Sequence, residues 1–100
     1  MPAVLVKGGC PGVALTADPF GNLVTSIRAV DLAGAAVIEV EVADRAARFV
    51  RTFGEGEPGE LLALVGSGGR VEVAVREGSA LATLGGGRGL PVRLVLARGP

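Results

Sequence analysis

The sequence contains no histidine, tryptophan or tyrosine, and it has one cysteine, Cys10. Without histidine the chain lacks the commonest general base and the commonest metal ligand. One cysteine cannot form an internal disulfide, so Cys10 is expected to be a small, partly buried side chain, with a reactive thiol as the alternative. These absences predict that the chain has no catalytic residue and no metal site of its own.

Charge and hydrophobicity exclude two further classes of function. Ten basic residues balance ten acidic ones, no block of like charge occurs, and aromatic residues make up only 3% of the chain. This composition does not favour nucleic-acid binding. The apolar run Leu61–Val65 is far shorter than the roughly 20 residues of a membrane-spanning helix. The N-terminal residues lack a secretory-signal pattern, so a cytoplasmic protein that binds no membrane is expected.

One hundred residues are enough for one stable domain, and a single domain over residues 1–100 is expected. Seventeen glycines and six prolines cut the chain into short segments, which is typical of β-rich folds. A serine followed by helix formers and a glycine predicts one short helix over residues 79–85. The fold class predicted is mainly β, a small antiparallel β-barrel or sandwich with one short helix. Its predicted strands cover residues 4–7, 13–17, 23–27, 37–42, 60–65, 71–75 and 91–96.

Three local expectations are specific enough for the structure to test. Residues 8–12 are rich in glycine and proline, which predicts a tight reversal between two strands. Period-two alternation over residues 37–42 places Ile38, Val40 and Val42 on one face of a strand. Residues 44–52 have no clear period and are interpreted as irregular or as one helical turn.

The segment Asp18-Pro19-Phe20-Gly21-Asn22 admits two interpretations. Asp, Pro, Gly and Asn are leading turn formers, so the segment can be a simple turn. It can also bind a nucleoside, because Phe20 offers an aromatic face, Asn22 can pair with a base edge and Asp18 can accept hydrogen bonds from hydroxyl or ammonium groups.

Two other loops contain residues that turns do not require. The glycine-rich residues 66–69 precede a strand instead of a helix, which argues against a phosphate-binding loop. Ser67 is there either as part of a plain hairpin or as a hydroxyl that meets a ligand. Phe53 lies in a polar stretch, where an aromatic side chain often covers a ligand or a partner, although such stretches are usually solvated loops.

Taken in order, these segments resemble the C-terminal domain of the S-adenosylmethionine (SAM) hydrolases, enzymes related to fluorinase and chlorinase. Residues 18–27 resemble the family's acid, Phe-Gly-Asn, apolar pair and Thr-Asn-Ile pattern. Residues 50–55 resemble its Thr-aromatic-small-acid stretch, and residues 62–80 resemble a third segment. The resemblance covers about residues 13–96.

In that family, water or halide displaces methionine from the 5′ carbon of the ribose, at a site between the N-terminal domain of one subunit and the C-terminal domain of its neighbour in a trimer. The resemblance implies that this chain binds adenosine or SAM, with no other cofactor, and forms one wall of such a site. It also implies a homo-oligomer or a separate chain with the missing domain. The implied ligand contacts are Phe20 and Phe53 around adenosine, Asn22 and the backbone of Glu77, Gly78 and Ser79 at adenine, Asp18 at the ammonium and Ser67 at the carboxylate.

The sequence departs from the family pattern at the methionine end of this implied site. Ser26 and Gly66 stand where the family has asparagine, and Gly68 stands where fluorinase has an arginine. The Asp, Arg and His that handle the attacking water belong to the family's N-terminal domain and have no counterpart here. One alternative is therefore a non-enzymatic structural or protein-interaction module that kept the fold and lost the ligand. Another is an unrelated small barrel whose loops mimic the family by chance.

Overall fold

The computed structural model describes residues 4–99, and within them the protein is mainly β with one short α-helix, as predicted. The helix α1 spans Ala80–Leu84, and two short 3-10 helices span Ala29–Leu32 and Phe53–Glu55. No helix in this part of the chain is long and apolar enough to cross a membrane. The strands are β1 Val4–Leu5, β2 Cys10–Ala17, β3 Leu23–Arg28, β4 Ala36–Val42, β5 Arg45–Phe49, β6 Leu61–Val65, β7 Arg70–Val75 and β8 Pro91–Arg98.

Seven of these strands close into a barrel. Their order is β8-β2-β3-β7-β6-β5-β4, and β4 pairs with β8 to complete the ring. Every neighbouring pair is antiparallel except β5 and β6, which are parallel. A parallel pair needs a connection that returns along the barrel, and residues 50–60 provide this crossover. The barrel is one of the two antiparallel architectures predicted from the sequence, whereas the parallel pair was not predicted.

The interior follows the period-two alternation of the strands. Leu23 and Ile27 on β3 are buried beside Val71 and Val73 on β7. Thr25 is buried between them, where its hydroxyl donates to the carbonyl oxygen of Val71 at 2.7 Å and accepts from the Ile27 amide at 3.2 Å. This polar side chain is therefore fully paired inside the core. The alternation also fixes the outward face of β3 and β7, which carries Val24, Ser26 and Glu72.

A second apolar cluster lies outside the barrel, beneath the crossover. Val50, Leu62, Leu64 and Ala74 form this cluster. The crossover approaches it so closely that a side chain at Gly56 would overlap Leu62. The crossover is thus packed against the outer surface of β6 and β7, and this packing holds Phe53 over the end of β7.

The interpretation of residues 44–52 as irregular or helical is wrong, because β5 occupies Arg45–Phe49. Its residues pair with β4, with Ala47 opposite Val40, and then with β6 in parallel. A turn at Ala43, whose φ is 54°, joins β4 to β5. Pairing on both sides overrides the weak local preference of an alanine-rich segment.

The predicted reversal at residues 8–12 is also wrong, because β1 and β2 run in the same direction along one edge of β8. Leu5 pairs with Ala97, and Cys10 pairs with Leu94. Between these two pairs the β1–β2 segment advances by five residues, whereas β8 advances by only three. The extra residues form a bulge around Gly8 and Gly9, which both have positive φ. The glycines mark an irregularity within one long strand rather than a turn between two.

A second bulge explains a partial failure of the alternation in β4. Val40 and Val42 are buried as predicted, but Ile38 is 58% exposed. The register against β8 shifts between Val37 and Glu39. One extra residue reverses the facing of every side chain beyond it, so Ile38 points outward.

Arg48 fastens the crossover to β5. Its guanidinium donates to both carboxylate oxygens of Glu60 at 2.9 Å and to the carbonyl oxygen of Glu55 at 2.7 Å. The hydrogen bond from Arg48, followed by the bond from the Glu57 amide, lowers the pKa of Glu60 from 4.5 to about 2. The middle and the C-terminal end of the crossover are therefore held by one charged side chain.

We expect Arg48→Gln to lower the free energy of unfolding at neutral pH, with a deficit that shrinks in acid. The folded pKa of Glu60 lies below its unfolded value, so its contribution is complete above the unfolded pKa and is lost as pH falls from 4.5 to about 2. Urea unfolding at neutral pH and near pH 3 measures the deficit. Arg45→Gln is the control, because Arg45 forms no ion pair within residues 4–99. A deficit that stays constant across this range would contradict the prediction.

Candidate functional site

The loop between β2 and β3, residues 18–22, is organised around the carboxylate of Asp18. One oxygen accepts hydrogen bonds from the amides of Phe20 at 2.8 Å and Asn22 at 3.0 Å, and the other accepts from the Asn22 side-chain amide at 3.1 Å. Burial alone would raise the pKa of Asp18, but these donors together lower it below its ordinary value. Asp18 thus fixes the loop, and its second oxygen keeps capacity for a further donor.

Phe20 and Asn22 lie at the surface of this fixed loop. The Phe20 side chain is 79% exposed. Asn22 uses its amide nitrogen to bind Asp18, and its amide oxygen makes no hydrogen bond to any other described residue. The loop therefore presents an exposed aromatic ring and, two residues further on, an amide oxygen without a hydrogen bond among the described residues.

This loop packs against the segment that follows β7. The Leu81 amide donates to the carbonyl oxygen of Gly21 at 2.9 Å. Gly21 has a φ of 85°, and a side chain there would overlap the hydroxyl of Ser79. That hydroxyl accepts from the Ala82 amide at 3.1 Å and caps α1. The structure therefore brings residues 18–22 and residues 77–79 together.

The crossover joins the same end of β7 through Arg76. The Arg76 guanidinium donates to the carbonyl oxygen of Phe53 at 2.8 Å. The Arg76 backbone is tied to the crossover as well, through hydrogen bonds with Gly59 and Glu60. Phe53 is 41% exposed. The backbone of Phe53 is thus anchored to the residue that precedes Glu77.

Ser67 lies apart from the other predicted residues. It belongs to the β6–β7 hairpin, which is closed by hydrogen bonds between Gly66 and Arg70 and between Gly66 and Gly69. This hairpin lies at the Arg70 end of β7, whereas the other three segments meet at the Val75 end. The six residues of β7 separate the two ends by roughly 20 Å.

Glu72 occupies the outer face of β7 between these two groups, and the sequence analysis missed it. It pairs with Val24 on β3 and Leu64 on β6. A side chain at Gly66 would overlap the Glu72 carboxylate, so the carboxylate reaches the hairpin of Ser67. Burial first, and then the charge of Asp18, raise the pKa of Glu72. Its outward position in an alternating strand was the one signal in the sequence.

Two features are not found among the site residues of the described chain: a group of metal ligands and an enclosed pocket. No group of three or more His, Cys, Asp or Glu side chains is placed to hold a metal ion among residues 4–99. A hollow of about 330 Å³ lies elsewhere, at the β4–β5 turn. None of the predicted site residues lines it. The predicted site residues lie in the β2–β3 loop, the crossover, the β6–β7 hairpin and the segment that follows β7.

Comparison with known families identifies the type of domain. The family model for the SAM hydroxide adenosyltransferase C-terminal domain matches residues 12–93. The chain belongs to this family. The match thus confirms the resemblance found in the sequence, and the interpretation of the chain as an unrelated small barrel is wrong.

Relatives of this SAM hydroxide adenosyltransferase-type domain are longer than the chain. An (R)-S-adenosyl-L-methionine hydrolase of Thermus thermophilus is 42% identical over 95 residues, which are 95% of the chain and 35% of that enzyme. The crystal structure of a conserved hypothetical protein, also from Thermus thermophilus, matches with a TM-score of 0.74 and 44% identity over 94% of the chain. An uncharacterized conserved protein from Thermotoga maritima matches with a TM-score of 0.71 and 29% identity, again over 94% of the chain. The chain spans 38% of each of these two structures.

Proposed function

We propose that this domain binds adenosine or SAM on the outer face of β3 and β7 and forms one wall of an intersubunit site for hydrolysis of SAM to adenosine and methionine. The observation that supports this most is the meeting of three separate loops at the Val75 end of β7. Gly21 packs on Ser79, and Arg76 binds the Phe53 backbone. Segments that are far apart in the sequence are thereby brought to the same end of β7.

The adenosine end of the ligand lies among these loops in our proposal. Phe20 and Phe53 have exposed rings that can pack on a base and a ribose. The free amide oxygen of Asn22 can accept from the exocyclic amine of adenine. The backbone of residues 77–79 lies beside the same loop and completes the contact with the base.

The methionine end extends along β7 toward the hairpin of Ser67. SAM is an elongated ligand, so one molecule can extend between the two ends of β7, but its ammonium and carboxylate are bonded to the same carbon atom and cannot contact groups at opposite ends of β7. In this binding mode the Ser67 hydroxyl is available to the carboxylate, and the second oxygen of Asp18 is available to a ribose hydroxyl instead of the ammonium. Nothing lies within 4 Å of the side-chain position of Gly68, which leaves room for this end of the ligand.

The chemical step belongs to another domain in this proposal. The chain has no histidine, and the lowered pKa of Asp18 makes its carboxylate a weak base at neutral pH. The curated hydrolase contains nearly twice as many residues outside the matched region as within it. A homotrimer of a longer chain, or a separate chain with the missing domain, would supply the groups that handle water. The domain and the chain that supplies these groups would both be cytoplasmic in this proposal.

Adenosine titration of the wild type and of Phe20→Ala tests this proposal. We expect saturable heat from the wild type and an affinity about 5- to 150-fold lower for Phe20→Ala, because stacking on an aromatic ring contributes roughly 1–3 kcal/mol per base. Ile38→Ala is the matched control, since Ile38 is an exposed apolar side chain on β4, away from the site. Its affinity for adenosine should equal that of the wild type.

A different result would favour the non-enzymatic interaction module. Its supporting observation is Ser26, which replaces the family asparagine and whose hydroxyl accepts from the Val13 amide at 3.0 Å. This hydroxyl serves the pairing of β2 and β3 rather than a ligand. Absence of heat at millimolar adenosine would overturn the proposed function and leave this alternative.

A further inference from the structure

We infer that Glu72 is a specificity residue of the proposed site, whose carboxylate favours adenosyl ligands with a positive charge, such as SAM, over neutral adenosine. The inference rests on the proposed function and adds a residue to it. It concerns the middle of the outer face of β7, between the loop of Asp18 and the hairpin of Ser67.

The strand alternation and the register place Glu72 on this face. Val71 and Val73 are buried inside the barrel, so the side chain between them points outward. Its neighbours on the adjacent strands are Val24 and Leu64. Both neighbours are apolar, and neither can compensate a negative charge.

The carboxylate also lies between the two ends of the site. Toward one end, it occupies the space that a side chain at Gly66 would need. Toward the other end, it is close enough to Asp18 for the two negative charges to repel. A ligand that extends from the loop of Asp18 to the hairpin of Ser67 must pass over Glu72.

No basic side chain of the described chain neutralises this carboxylate. The carboxylate of Glu72 takes part in no hydrogen bond or ion pair within residues 4–99. The two arginines of the neighbouring sequence are engaged elsewhere. Arg70 donates to the carbonyl oxygen of Ser26 at 3.3 Å, and Arg76 donates to that of Phe53 at 2.8 Å.

The environment of Glu72 explains why a cationic ligand would be preferred. Burial, then repulsion from Asp18, raise the pKa of Glu72, which means that its negative charge is destabilised in the free protein. A cation placed over β7 relieves both effects, and a neutral ligand relieves neither. SAM carries a sulfonium and an ammonium group in its methionine half, whereas adenosine carries no charge.

Glu72→Gln removes the negative charge and keeps the shape of the side chain, because glutamate and glutamine have nearly the same volume. We expect the affinity for SAM to fall about three- to tenfold at low salt, as for a partly desolvated charge pair, and the affinity for adenosine to stay within about twofold. Calorimetric titration with each ligand gives both values. Glu39→Gln is the control, since Glu39 is an exposed carboxylate on β4 and its removal should alter neither affinity.

The thermal unfolding of Glu72→Gln without ligand provides a second readout. Removal of an uncompensated charge should leave Tm unchanged or raise it, whereas a drop in Tm would show that Glu72 has a stabilising partner. Equal losses for SAM and adenosine, or no loss for SAM, would overturn the inference while adenosine binding by the wild type upholds the proposed function. A wild type that binds neither ligand would overturn both.

Discussion

Gly21→Ala is expected to lower the free energy of unfolding by about 2–4 kcal/mol. Gly21 has a φ of 85°, and a left-handed conformation costs an alanine roughly 1–2 kcal/mol. The added methyl group would also overlap the Ser79 side chain, and such overpacking adds about 1–3 kcal/mol. The two effects act together because the loop cannot move away from Ser79 without losing the bond from Leu81 to the Gly21 carbonyl.

Gly34→Ala separates these two effects in the same urea-unfolding experiment. Gly34 has a similar φ of 77°, but nothing lies within 4 Å of its side-chain position. This variant should lose only the roughly 1–2 kcal/mol that arises from backbone strain. Equal losses in the two variants would show that the loop of residues 18–22 does not pack on Ser79 in solution, and the proposed site would lose its main support.

The same contact links stability to ligand binding. Phe20 precedes Gly21, so a displaced loop carries the exposed ring away from residues 77–79. We therefore expect Gly21→Ala to weaken adenosine binding as well. Gly34 lies in the loop before β4, so Gly34→Ala should leave adenosine binding unchanged.

Local sequence patterns predicted much of the barrel because its strands carry strong alternation. In β7 the buried Val71 and Val73 alternate with outward residues, and a single strand suffices to show this. The prediction failed where pairing decides the outcome. The alanine-rich β5 has no clear period of its own, and it becomes a strand because β4 and β6 lie on either side of it.

Bulges account for the remaining differences in the fold. The alternation of β4 includes Ile38 only if the strand is regular, and the register shift beside Val37 is set by β8. Glycines next to a strand indicate a turn and a bulge equally well. Only the partner strand distinguishes the two, and β8 is more than 80 residues away from Gly8 in the sequence.

The local structure of the candidate site was predictable to a similar degree and for similar reasons. The composition of residues 18–22 indicated a structured turn, and the Asp18 hydrogen bonds show why. The contacts from Gly21 to Ser79 and from Arg76 to Phe53 join segments that no local pattern connects. Glu72 escaped notice because a glutamate on an outward position is ordinary until its neighbours are known to be apolar or acidic.

Gly9→Ala is expected to lower the free energy of unfolding by about 3–5 kcal/mol, which is more than Gly21→Ala. Gly9 has a φ of 60°, and an added methyl group would overlap the backbone carbonyl of Leu94. A side chain can rotate away from such an overlap, but this carbonyl is part of β8, and Leu94 is also paired with Val40 on the other side. Relief therefore requires separation of strands in the closed barrel, which adds to the roughly 1–2 kcal/mol of left-handed strain.

Gly8→Ala is the matched control for this substitution, one residue away. Gly8 has a φ of 76° with nothing within 4 Å of its side-chain position, so only the strain of roughly 1–2 kcal/mol should appear. Urea unfolding of the two variants gives the difference directly. If Gly9→Ala were no less stable than Gly8→Ala, the glycine pair would not be a bulge held against β8, and β1 and β2 would not follow one edge of that strand.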